Sequence, residues 1–287
     1  MTVLVTGATG FVGRHVVPHL LRDGQEVVVA TRSPIDESGL AWVDQVRRVE
    51  LDLGDADLEM DLPASPETVV HLAWGNLQNF RSIDHLDVEL PRAKRFLRRL
   101  ADGGCKRIIV AGTCLEYGLQ NGCLGVDAST KPVTAYGLAK VQLHEYLRML
   151  QASRMRETGQ TFELTWARIF YLHGEGQSPR SLLPLLRSAI QRGDKTFPMS
   201  GGEQLRDFLP ATEVGRMLAD LAWNTTGAGT VNICKGTPIS VRRLIEEHIA
   251  SWDAKIDLQL GVYPYPDYEP LAFWGDRTPF ETLRAKP

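Results

Sequence analysis

Val3-Leu4-Val5-Thr6-Gly7-Ala8-Thr9-Gly10-Phe11-Val12-Gly13 is the stretch that decides the fold. A short apolar, β-branched run ends in glycines at 7, 10 and 13, and a helical apolar pattern (Val12, Val16, Val17, Leu20, Leu21) follows at once. Strand, glycine turn and helix in that order begin a βαβ unit. The glycines permit the tight turn, close approach of backbone to a pyrophosphate, and close helix–strand packing. The helix then offers free N–H groups and its positive dipole end to the phosphates. Gly7, Thr9, Gly10, Phe11, Val12 and Gly13 are therefore the candidate phosphate cradle of a dinucleotide.

Outward from that turn the rhythm repeats. Glu26–Thr31 reads as a second strand, a shorter one lies near Val46–Leu51, and Thr68–Leu72 makes a fourth. A long helix from about Ser82 to Ala101 precedes a fifth strand at Arg107–Ala111. A helix from about Ala135 to Arg156 leads into a sixth at Phe162–Ile169. Continuous apolar strands separated by helices indicate an α/β fold, a doubly wound parallel sheet of Rossmann type covered on both faces. After Tyr171 the pattern changes. Gly, Pro and Ser cluster from Gly174 to Ser181, helices near Leu182–Arg192, Ala211–Trp223 and Val241–Ser251 are joined by irregular segments, and the tail from Tyr263 is rich in Pro and aromatics. The expected organisation is a dinucleotide-binding domain over 1–172, to which later segments are free to return, and a smaller, mainly substrate-binding portion over 173–287.

Composition excludes several classes. A net charge of -3 over 287 residues gives no basic footprint for nucleic acid. No apolar run approaches the roughly 20 residues of a membrane span. The N-terminus lacks a basic leader, and the four cysteines show no metal-ligand spacing. The reading is a cytoplasmic protein with free thiols, no structural metal, and a small-molecule substrate.

The end of the second strand meets the adenosine ribose. It carries Thr31-Arg32-Ser33 with no carboxylate until Asp36. A cation there favours the 2′-phosphate of NADP(H), with Arg32 as its clamp, over NAD(H), which remains possible. The Gly-x-x-Gly-x-x-Gly spacing resembles that of the short-chain dehydrogenases, and the resemblance implies that Asp52-Leu53 after the third strand lines the adenine site and that Leu72-Ala73 after the fourth lies against the cofactor.

Tyr136-Gly137-Leu138-Ala139-Lys140 supplies the chemistry. Spacing of four residues puts Tyr136 and Lys140 on one helix face. An ammonium beside a phenol is expected to lower its pKa from about 10 towards the working range, and the same lysine holds the nicotinamide ribose. Thr113, at the end of the fifth strand, is placed to hydrogen-bond a substrate oxygen. Thr113, Tyr136 and Lys140 are the candidate catalytic residues.

Together with His71-Leu72-Ala73, Ala167–Gly176 and Leu205-Arg206-Asp207-Phe208, these motifs resemble the extended short-chain dehydrogenases/reductases, the nucleotide-sugar epimerase/dehydratase/reductase family. The resemblance implies a nucleotide-sugar substrate, a homodimer, and Arg206 facing the substrate diphosphate. Two departures stand out. Phe170 and Tyr171 occupy the place where the family often has asparagine, and Tyr263–Pro270 lacks the family's second arginine, which leaves Arg180 as a further diphosphate donor. Cys114-Leu115 follows Thr113 where the 4,6-dehydratases carry Asp-Glu, which disfavours dehydration. The implied reaction is reduction of a 4-keto-6-deoxy sugar, against the alternatives of an epimerase with bound NAD and a non-catalytic cofactor-binding regulator. Leu115, Phe170 and Leu172 are expected to shape the pocket; Trp74, Asn76 and Glu116 are expected to read sugar hydroxyls.

Overall fold

The computed structural model describes residues 1–32, 39–54, 66–223 and 227–284. Seven parallel strands form the central sheet: β1 (Thr2–Thr6), β2 (Glu26–Thr31), β3 (Arg47–Glu50), β4 (Thr68–His71), β5 (Arg107–Thr113), β6 (Glu163–Ile169) and β7 (Gly229–Ile233). Their order is β7-β6-β5-β4-β1-β2-β3. The strands pair in parallel, with Val3 opposite both Val27 and Thr68. Burial on both faces explains why β1 and β2 read as unbroken apolar runs rather than alternating ones.

The helices α1 (Gly13–Arg22), α2 (Leu90–Asp102), α3 (Ala135–Thr158), α4 (Leu182–Arg192), α5 (Ala211–Trp223) and α6 (Val241–Ser251) complete the frame. α1 and α5 cover one face of the sheet, burying Val16, Val17, Leu20, Val214, Met217 and Leu218 against it. α2 and α3 cover the other through Phe96, Leu97, Leu100, Leu143 and Leu147. α1 and α5 cross closely because Gly215 has no side chain: a Cβ there would lie 2.3 Å from the His15 carbonyl oxygen. α4 and α6 build a separate small core with Phe197 and Met199.

α4, α5 and α6 fall where the periodicity placed them. Two elements differ. β7 escaped the sequence reading because its five residues include buried Asn232; that side chain accepts from the Tyr117 hydroxyl at 2.7 Å and donates to the Leu124 carbonyl at 2.8 Å. The stretch expected as one helix from Ser82 instead begins with a π turn, His85–Glu89. Pro91 has no N–H to give and Leu90 N–H reaches back to the His85 carbonyl, so the first turn is widened. Among the described residues no helix is long and apolar enough to cross a membrane. All four cysteines are free, with Cys123 alone of them exposed.

Candidate active site

The strand order reverses between β1 and β4, and their carboxyl ends open a crevice there, the place where α/β sheets take ligands. Gly7 has φ 70°, and a Cβ on it would lie 2.8 Å from Ala73 N; one on Gly13 would lie 2.2 Å from the Gly7 carbonyl oxygen. The turn therefore reaches the end of β4 only as glycine. Thr9 and Gly10 are exposed, and the N–H groups of Phe11 and Val12 find no backbone acceptor among the described residues. Thr6 Oγ1 accepts from Ala73 N–H at 3.3 Å and meets His71 Nδ1 at 2.9 Å, which fixes Leu72-Ala73 beside the loop. Arg32 lies exposed just past β2, and Asp52 accepts from Gly54 N–H at 2.8 Å. Thr31 and Leu53 are half-buried at the same strand ends. Asp36 is outside the described residues. Arg14, which the sequence reading passed over, has a buried Nε without a partner among the described residues, at the first turn of α1. Glycine-only approach, open amides and an unpaired guanidinium nitrogen suit the two phosphates of a dinucleotide.

The groups expected to do chemistry converge one strand away. Thr134 caps α3 by accepting from Gly137 N–H at 3.1 Å. Gly137 lets that helix press on the turn after β5, where a Cβ would lie 2.7 Å from the Leu115 carbonyl oxygen. The Tyr136 hydroxyl in consequence faces the Thr113 side chain. Thr113 Oγ1 also accepts from Leu115 N–H at 3.3 Å, leaving its own proton to donate. Lys140, 2% exposed, donates to the Ala111 carbonyl at 2.8 Å and sits 3.8 Å above the Trp74 ring.

Charge in this cleft differs from the expectation in one respect. Burial first, then the Glu116 charge, push the Tyr136 phenol well above its ordinary value. Lys140 does not bring it down, because burial also pulls the ammonium to about 7, with Glu116 and Glu89 opposing that fall. Tyr136 accordingly keeps its proton at neutral pH. A lysine that titrates at about 7 when folded and about 10.4 when unfolded weakens the native state most below pH 7. That cost shrinks as pH rises, since only the unfolded chain then holds the proton. Lys140→Met is expected to be more heat-stable than the natural protein at pH 6.5, with the gain diminishing steadily towards pH 10, while activity is lost. Paired melting curves across that range check the sign; a gain that grows with pH contradicts it.

An aromatic enclosure around this pair was not legible beforehand. Phe80 stacks on Tyr136 at 5.5 Å, His85 lies 5.1 Å from it, and Trp74 meets it edge-on at 6.0 Å. Trp74 Nε1–H donates to His85 Nδ1 at 3.0 Å, so His85 carries its proton on Nε2 and gives it to the Asn79 carbonyl at 3.0 Å. Burial lowers the His85 pKa, in keeping with that neutral tautomer. The π turn before α2 is what presents His85 here, and no sequence period announces it.

Several expected substrate contacts are placed differently. Glu116, 0% exposed, turns to the far side of β5. It accepts from Thr113 N–H at 2.8 Å, from Trp166 Nε1–H at 3.0 Å and from Arg168 Nε at 2.8 Å, and borders a separate polar cavity of about 520 Å³ with His144 and Arg148. It holds the Thr113 turn rather than a sugar. Phe170 is buried among Tyr117, Phe273 and Cys234, and Tyr171 packs on the same cluster through Phe273 at 5.9 Å. Trp74 is at the site, but its only donor is committed to His85, so it offers a ring face instead of a hydroxyl contact. Asn76 ties down its loop through Asp84 at 3.3 Å. Leu115 is buried at the turn after Thr113, and Leu172 packs towards α1 and α5. Arg206 is bound internally to Glu269 at 3.0 Å, and not left open to a diphosphate. Arg180 is exposed and reaches across to Gln78 at 3.0 Å.

Residues 3–234 match the model of the NAD dependent epimerase/dehydratase family. Over 96% of its length the chain is 30% identical to dTDP-6-deoxy-L-talose 4-dehydrogenase (NAD(+)) of Aggregatibacter actinomycetemcomitans, 99% of which is covered. Over 85% it is 27% identical to dTDP-4-dehydro-6-deoxy-D-allose reductase of Streptomyces bikiniensis, 78% of which is covered. Among solved structures, MoeE5 in complex with UDP-glucuronic acid and NAD superposes with a TM-score of 0.80 at 26% identity, covering 99% of this chain and 92% of that one.

Proposed function

The chain belongs to the NAD-dependent epimerase/dehydratase family, the extended short-chain dehydrogenases/reductases, and from that premise we propose that it uses NADPH to reduce the 4-keto group of a nucleoside-diphosphate-linked 4-keto-6-deoxy sugar. The observation that carries this reading is the Tyr136 hydroxyl, held protonated against Thr113 with Lys140 one turn below. A carbonyl that gains hydride needs a proton and a hydrogen-bond donor at its oxygen, and this is that arrangement. The two curated relatives are named for opposite directions of chemistry at a 6-deoxysugar C4, which the same residues serve by microscopic reversibility.

The bound nicotinamide dinucleotide supplies the hydride for C4. Tyr136 gives its phenolic proton to the C4 oxygen, turning C=O into CH–OH, and recovers a proton from solvent. Thr113, whose oxygen is already used by Leu115 N–H, donates its hydroxyl proton to the same substrate oxygen. Lys140, fixed by Ala111 and Trp74, stabilises the transient phenolate and holds the ribose. Gly7–Gly13 would hold the pyrophosphate, Arg32 the 2′-phosphate and Asp52 and Leu53 the adenosine, with Leu72 and Ala73 against the cofactor. Arg180 is the exposed cation that meets the substrate diphosphate.

Mixing the protein with NADPH and a nucleoside-diphosphate 4-keto-6-deoxyhexose is expected to consume the reduced cofactor only when the keto sugar is present. Interconversion of ordinary nucleotide sugars with no added reductant overturns this in favour of the epimerase. The Arg32 clamp has its own test. Arg32→Glu is expected to lower kcat/KM for NADPH by roughly 30- to 100-fold, the size of a lost charge-assisted phosphate contact, and to change that for NADH less than about threefold. Equal losses for both cofactors contradict the clamp.

A further inference from the structure

Trp74 lies just past the end of β4, and its indole is held by its edge. Nε1–H donates to His85 Nδ1 at 3.0 Å, the two rings stack at 6.4 Å, and His85 is itself held by the Asn79 carbonyl at 3.0 Å. The π turn His85–Glu89 thereby sets how the indole lies. Its face meets the Lys140 ammonium 3.8 Å from the ring centroid, and Tyr136 packs against it at 6.0 Å.

A lysine ammonium has three donors. Lys140 gives one to the Ala111 carbonyl at 2.8 Å and presents a second to the ring face, which leaves the third for a ligand or for Tyr136. No carboxylate shares it, since among the described residues neither Glu89 nor Glu116 forms an ion pair with Lys140. Glu89 accepts from Gly75 N–H at 3.0 Å and pairs with Arg92 at 3.2 Å. Glu116 is taken up by Thr113, Trp166 and Arg168. The other titratable groups around the ammonium are His71 on β4, His85 on the π turn and Tyr136 on its own helix, and burial favours the neutral form of all three.

A carboxylate in contact with Lys140 would hold it and cancel its charge. A ring face attracts the cation through its quadrupole and carries no net charge. We propose that Trp74 is the positioning residue for Lys140: its ring face holds the amine in place as the ammonium without neutralising it, so that the charge stays available to a phenolate forming on Tyr136. Burial alone draws this amine down to about 7, so the loss of one favourable contact to the cation tips it towards the neutral form. The catalytic consequence rests on the reductase reading above, to which the proposal adds what keeps the lysine charged.

An NMR titration of the full-length protein, with the lysine ε carbons isotopically labelled, reads the contact without cofactor or sugar. The Lys140 signal is the one missing from Lys140→Arg. In the natural protein its ε protons are expected upfield of those of the other lysines, from the ring current of Trp74, with a midpoint at about 7. Trp74→Leu is expected to abolish the upfield position and lower the midpoint by about one pH unit, while Trp74→Phe, which keeps a ring face, stays within about half a unit. A midpoint that is unchanged or raised in Trp74→Leu overturns the proposal, because the ring would then only keep water from the amine. Biosynthetic replacement of tryptophan by fluorinated analogues decides the matter if Trp74→Leu fails to fold. Fluorine withdraws charge from the ring face with little change of shape, so the midpoint is expected to fall stepwise with fluorine number; a constant midpoint overturns the contact. The kinetic counterpart is the pH profile of NADPH-dependent reduction, where Trp74→Leu is expected to lower kcat/KM roughly tenfold at pH 7.5 and less than about twofold at pH 5.5. Reduction whose profile Trp74→Leu leaves unchanged refutes the catalytic role alone. The expected titrations in a protein that reduces no keto sugar refute the reductase reading and leave the contact standing.

Discussion

Tyr136→Phe is expected to lower kcat for keto-sugar reduction by about 10³ while leaving cofactor affinity within roughly threefold. The lost atom is the proton donor, and a positioned general acid contributes about 10²–10⁴. The ring itself remains to be stacked by Phe80 and flanked by His85 and Trp74, so the cleft keeps its shape. Single-turnover kinetics with saturating NADPH read the chemical step directly. A loss below about tenfold would mean that another group delivers the proton. The pH profile carries a second signature. Because Lys140 titrates at about 7, kcat/KM of the natural protein should fall as pH rises through that value, when the ammonium that steadies the developing phenolate is lost in the free enzyme.

The sheet was readable because its strands obey one constraint throughout. Burial on both faces makes β1, β2 and the middle of β5 unbroken apolar runs, and the glycines of the first turn have no alternative where the loop crosses the end of β4. Thr113, Tyr136 and Lys140 were legible for a similar reason, since their spacing and their place on a strand end and a helix already imply convergence. The surroundings of these three residues were not. They depend on how Phe170 and Tyr171 pack, on a π turn created by Pro91, and on a tail residue, Glu269, that meets Arg206 63 positions away in sequence. None of these leaves a periodic trace. Arg206 misled for a clear reason. Its motif identifies a place in the chain, while its partner, which decides its role, lies in a segment with no regular pattern.

Arg168→Met is expected to be the most destabilising of the conservative substitutions near the site. It would leave Glu116 buried without its counter-charge, and breaking a buried pair from one side costs about 3–5 kcal/mol. For a chain of this size that is a drop in Tm of roughly 10 °C. The loss propagates, because Arg168 also donates to the Tyr117 hydroxyl and the Val126 carbonyl, both at 3.0 Å, and Glu116 holds the Thr113 N–H. Adding Glu116→Gln to Arg168→Met should recover part of the loss by removing the stranded charge. A double-mutant cycle on melting temperature measures this coupling; additive losses would show that the two charges act independently.

The most direct measurement follows the hydrogen itself. With NADPH deuterated at the transferable position and a nucleoside-diphosphate 4-keto-6-deoxyhexose, the product sugar should carry one deuterium, bound to C4, with one cofactor oxidised per sugar reduced. A product with no label at C4, or sugar interconversion that proceeds without net oxidation of added cofactor, would contradict the assignment of this chain as a 4-ketoreductase.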